Sequence, residues 1–140
     1  MLERNKEYAK VGRRLIRNHP WLTDLKDSKA KIAFLESDEE KKKGKSKTVY
    51  ADCNLVSKKY SWCCHYNFFI VVYAPNVIEL NEEQIEILLL HELMHCGVGI
   101  DGDEPSYHIV PHDVEDFKKI IEKYGIDWGD ANAERGESEQ

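Results

Sequence analysis

The stretch that most constrains this chain is residues 85–97, IEILLLHELMHCG, because it carries His91-Glu92-Leu93-Met94-His95 inside an apolar, helix-forming run. Residues four apart stand on one face of an α-helix, so both imidazoles can converge on a single ion. Glu92 falls beside that ion, where a carboxylate can hold a water molecule and take its proton. Asn81-Glu82-Glu83-Gln84 reads as an N-cap with a capping box, which starts the helix about ten residues before the motif. Leu93 and Met94 suit a buried helix, and Gly97 and Gly99 are expected to stop it after His95. The plain alternative is a core helix carrying two hydrogen-bonded histidines. With these supporting features the pattern predicts a zinc-dependent hydrolase acting on peptide bonds in a peptide or protein substrate.

Around that helix the sequence predicts an α+β domain with about three strands. Residues 2–18 form an amphipathic helix, with Tyr8, Val11, Gly12, Leu15 and Ile16 on one face and Pro20 ending it. Residues 31–36 read as a short strand, and the charged stretch 37–47 as a hairpin loop leading into a strand over 48–56. That second strand alternates, with Val49, Ala51, Cys53 and Leu55 opposite Tyr50, Asp52 and Asn54. Residues 57–66 read as a loop or an edge segment. Residues 67–74, NFFIVVYA, are apolar almost throughout and should form a buried strand. After the motif helix, 97–107 read as a turn-rich loop. A last helix is expected from Asp113 as N-cap, burying Val114, Phe117, Ile120, Ile121 and Tyr124. One domain is expected over 1–128, followed by a disordered acidic tail over 129–140.

Composition excludes several classes. A net charge of −6 argues against nucleic acid as a general partner. The first residues, MLERNKEYAKVGRR, lack an apolar signal region, and no apolar run reaches the length of a membrane span. Cys53, Cys63, Cys64 and Cys96 contain no CxxC pair and read as reduced thiols of a cytoplasmic protein rather than a disulfide framework. Cys96, next to His95, is the one whose oxidation would reach the site.

A catalytic zinc takes three protein ligands and leaves one position for water. His91 and His95 supply two. A longer metzincin pattern would need glycine at 98 and histidine at 101, where this chain has Val98 and Asp101. His112 is the preferred third ligand, held between Pro111 and the Asp113 cap, while His108, Asp101 and Glu115 are rivals. Asp113 and Asp116 read as cap residues able to orient an imidazole.

HELMHCG followed by DGDEPSYHIVPHDVEDF, together with KIAFLES, TVYADC and the closing YGIDW, resembles the putative phage metallopeptidases, small zincin-like proteins encoded by phages and prophages. The resemblance covers most of residues 5–128 and is most specific over 91–117. It implies a minimal zincin fold: a small, mainly antiparallel sheet packed with an N-terminal helix, the HExxH helix and a C-terminal helix. It also implies His91, His95 and His112 as zinc ligands and Glu92 as the catalytic residue, in the cytoplasm of the host cell.

Two other features have simpler readings. The lysines at 41, 42, 43, 45 and 47 adjoin Asp38, Glu39 and Glu40 and read as a solvated loop rather than a phosphate-binding patch. Asp101-Gly102-Asp103-Glu104 lacks the rest of a calcium loop and reads as a turn. A peptide substrate would add as a strand along a sheet edge, formed by 48–56 or 57–66. The competing function is a catalytically inactive, zinc-stabilised phage protein that binds a host protein. An open coordination position and Glu92-dependent turnover distinguish the two.

Overall fold

A computed structural model of the chain describes residues 1–44 and 47–111. Its elements are β1 (Leu2–Arg4), α1 (Lys6–Asn18), a 3-10 turn (Pro20–Leu22), α2 (Thr23–Ser28), β2 (Ile32–Ser37), β3 (Lys42–Lys43), β4 (Lys47–Thr48), β5 (Ala51–Leu55), β6 (Phe68–Tyr73), α3 (Glu82–Met94), β7 (Cys96–Asp101) and β8 (Glu104–Ile109). The class is α+β, as the sequence predicts. No helix among the described residues is long and apolar enough to cross a membrane.

The main sheet has the order β1-β2-β6-β5 and is mixed. β6 lies parallel to β2, pairing Ile32 with Phe68 through Ser37 with Tyr73. On its other side β5 runs antiparallel, pairing Ala51 with Val72 through Leu55 with Phe68. β6 is central because FFIVVY offers water no polar face; Phe68, Ile70 and Val72 are fully buried. A strand of that composition needs neighbours on both edges as well as cover on its faces. The hairpin expected between residues 31–36 and 48–56 is therefore not formed. β6 lies between those strands, and the charged connection folds on itself as the small β3-β4 ladder.

α1 and α3 supply the helical cover. α1 starts at Lys6 rather than residue 2, because Asn5 caps it by accepting from the Tyr8 amide at 2.8 Å. Residues 2–4 instead pair antiparallel with β2 as the edge strand β1. α1 meets the sheet at Gly12, where an added Cβ would lie 2.2 Å from Phe34 Cζ. Glycine is required here by that close approach of ring to helix backbone.

α3 is the hub of the core. Ile87, Leu88, Leu89, Leu90 and Leu93 are all buried, together with Glu92. At its start the Asn81 side chain accepts from the Gln84 amide at 2.8 Å, and Gln84 accepts from the Asn81 amide at 3.0 Å. The capping box read from the sequence is therefore formed.

α3 ends at Met94 with His95 as its C-cap, and the chain turns straight into β7. The stretch 97–107, expected to be a turn-rich loop, is instead most of a regular β7-β8 hairpin, pairing Cys96 with Ile109 through Asp101 with Glu104. Only its tip is a turn, with Gly102 at φ +67°. Tyr107 packs edge-on against Phe68 and anchors the hairpin to the core. The helix expected from Asp113 and the tail over 129–140 fall outside the described residues.

Candidate metal centre

α3 places His91 and His95 one turn apart near its end, with ring centroids 5.0 Å apart and planes inclined at 74°. The ligand atoms of His91, Glu92 and His95 all lie within 4.8 Å of one another, so these three residues could hold a metal ion. Glu92 and His95 are buried and His91 is half-buried. Buried groups of this kind have few rotamers open to them, so the constellation is held by core packing around α3.

His95 is oriented by the hairpin. Its Nδ1 lies 2.5 Å from the Val110 carbonyl oxygen, and the Val110 amide donates to the His95 carbonyl at 2.8 Å. A carbonyl only accepts, so Nδ1 carries the proton and Nε2 keeps its lone pair. That is the tautomer a metal-binding imidazole needs, fixed by a backbone acceptor on the far side of the ring. The turn from α3 into β7-β8 returns Val110 to His95.

Glu92 presents an electrostatic problem that a cation solves. Burial raises its carboxyl pKa to about 8, and the negative charge of Asp52 adds to the rise. Asp52 is compensated elsewhere: it accepts from Lys41 Nζ at 2.5 Å, the Tyr73 hydroxyl at 2.8 Å and Asn54 at 2.9 Å. A buried carboxylate becomes favourable when an opposite charge sits within a few ångströms. Two imidazoles and a carboxylate are hard to borderline donors suited to zinc and similar divalent ions. The donor set fits a divalent metal.

These groups open on a cleft of about 590 Å³. Leu88, His91, Glu92 and His95 line it from α3, β5 and the residues before it from another side, and Ile109 and Pro111 from a third. The sheet edge that reaches the cleft is thus residues 48–53, while 57–66 form a 3-10 turn and loop away from it.

The rival third ligands are placed elsewhere. His108 is exposed, with its ring over Gly97: a Cβ there would lie 2.3 Å from Nε2. It projects from β8 opposite to Ile109, which lines the cleft, as strand alternation requires. Asp101 sits at the hairpin tip, 3.8 Å from Lys58 Nζ, and does not line the cleft. His112 and Glu115 fall outside the described residues; Pro111, which precedes His112, is a cleft-lining residue.

Sequence reasoning missed three contributors. Asp52 and Cys53 were placed on a strand, but nothing local says that strand borders the motif helix. The Val110 carbonyl is a backbone group and leaves no signature in residue types. Cys53 Sγ lies 3.5 Å from Cys96 Sγ, and that hydrogen bond, with burial, holds the Cys96 thiol far above its ordinary range.

No curated protein and no solved structure matches the chain. A family model matches it over nearly its whole length, residues 1–134, and is that of a phage-encoded hydrolase class whose name accords with the His-Glu-His group on α3. The chain belongs to the putative phage metallopeptidase family.

Proposed function

We propose that the protein is a zinc-dependent metallopeptidase in which His91, His95 and His112 hold the metal and Glu92 is the general base. The observation that carries this reading is the buried Glu92 carboxyl beside two converging imidazoles at the base of an open cleft. For His112, support comes from the cleft-lining position of Pro111 and the outward placement of His108 and Asp101.

Zinc, when bound, supplies Lewis acidity toward the scissile carbonyl and lowers the pKa of a water molecule. The chain's own residues do the rest. His91 and His95 would hold the ion, His95 through Nε2, with its ring oriented by the Val110 carbonyl. Glu92 takes the proton of the attacking water and returns it to the leaving amine nitrogen. Burial on α3 holds that carboxylate in place beside the two imidazoles. β5 is an edge strand of the main sheet and lines the cleft, so an extended peptide can pair along it with its scissile bond over α3.

Elemental analysis of purified protein tests the site, with wild type beside His112→Ala. About one zinc per chain, sharply reduced in the variant, is expected for a three-histidine site. Zinc unchanged in His112→Ala would remove that residue from the ligand set. Turnover is tested by Glu92→Gln, which should keep zinc and lose peptide hydrolysis; a variant that retains hydrolysis would refute the role given to Glu92.

A further inference from the structure

Two thiols that the proposed chemistry does not use meet at the cleft. Cys53 lies on β5, half-buried and lining the cleft; Cys96 is buried and directly follows His95. Their sulfurs are 3.5 Å apart across 43 residues of sequence, whereas Cys63 and Cys64 lie in a separate loop. A disulfide needs its sulfurs at about 2.05 Å, so a closure of about 1.5 Å joins them.

We propose that Cys53 and Cys96 are a disulfide-forming pair that staples the cleft-edge strand β5 to the first residue of β7, directly after the His95 cap of the motif helix, with peroxide as the oxidant. Cys53 reacts first because it faces the cleft. Its sulfur attacks one peroxide oxygen, the O–O bond breaks and water leaves, giving a sulfenic acid. Cys96 Sγ then attacks the Cys53 sulfur; the S–S bond forms, the S–O bond breaks, and hydroxide departs with the Cys96 proton as a second water. The two sulfurs together lose two electrons, which the peroxide takes up. A dithiol reductant reverses the step.

The position gives the bond a consequence, which rests on the metal reading above. Cys96 is covalently next to His95, and the crosslink draws it toward β5. Ligand imidazoles tolerate little displacement from their metal, so the oxidised protein holds metal less tightly than the reduced one.

The test treats the full chain with hydrogen peroxide, then digests it without reduction and maps the peptides by mass. The expected result is a peptide pair linked through Cys53 and Cys96, a fall of two in free thiols at this pair, and recovery with dithiothreitol. Exposed Cys63 reports, by its own oxidation, that peroxide was sufficient. If Cys63 is oxidised while Cys53 and Cys96 stay unlinked, the proposal is overturned. Chelator competition on zinc-loaded protein reads the second part: peroxide should lower the chelator concentration needed for half-release by about tenfold, and Cys53→Ser should abolish that response. A linked peptide with unaltered zinc release would overturn the effect on the site. If neither form binds zinc, the metal reading fails while the peptide map still decides the disulfide.

Discussion

Ionising the buried Glu92 carboxyl destabilises the metal-free protein, and that cost can be read as a pH dependence. Burial and the Asp52 charge carry its carboxyl from 4.5 to about 8 in the folded chain. The folded state therefore binds more protons than the unfolded state between those values, and stability falls as pH rises through the window. At 1.36 kcal/mol per pH unit, the loss between pH 5 and pH 7.5 is about 3 kcal/mol. Glu92→Gln keeps the shape and removes the titration. The quantity to measure is the difference between variant and wild type, in which the contributions of all other groups cancel to first order. Urea unfolding of chelator-treated protein should show the variant gaining about 3 kcal/mol on wild type from pH 5 to pH 7.5, roughly 10 °C in Tm for a domain of this size. A constant difference across that range would mean that the carboxyl ionises freely in the fold, and the argument that it needs a cation would fall.

Other perturbations test the surrounding scaffold. Asp52→Asn removes the lesser cause of the Glu92 shift, so the pH window of the same experiment should move to lower pH, which a repeat titration would show. Gly12→Ala would stabilise an open helix, but here its methyl meets the buried Phe34 ring at 2.2 Å; a loss of 1–3 kcal/mol in urea unfolding is expected, roughly the cost of overpacking. Asn81→Ala removes the capping box and should cost about 1 kcal/mol by the same assay. Adding zinc to metal-free protein should raise Tm more at pH 8 than at pH 6, because a cation at this group favours the ionised Glu92 carboxylate over the protonated one; thermal unfolding at the two values checks the sign.

The parts of this fold legible in the sequence are those whose signal is local. The capping box, the apolar run of α3 and the His-Glu-His spacing are each contained within a few residues, and the structure forms each one. The apolarity of residues 67–74 marked a buried strand, but strand order is a property of the whole sheet. Adjacent strands in sequence are expected to pair; here the demand of β6 for two neighbours overrode that rule and separated β2 from β5. Asn5 was hidden because the amphipathic pattern of α1 extends over residues that β1 takes instead.

The β7-β8 hairpin shows why a site can be half legible. Gly97 and Gly99 look like helix stops and loop residues, yet both lie in β7. At Gly97 the reason is contact: the cross-strand partner His108 lays its ring where a side chain would be. That same pairing decides the chemistry of the centre. It turns His108 away from the cleft, leaves Ile109 facing it, and brings the Val110 carbonyl onto His95 Nδ1. The residues that could coordinate a metal are written in the motif, but the residue that orients one of them is selected by strand register. A one-residue slip of β8 would exchange the faces of His108 and Ile109 and take the acceptor away from His95. The hairpin is therefore part of the candidate site, because its register places the acceptor that orients His95.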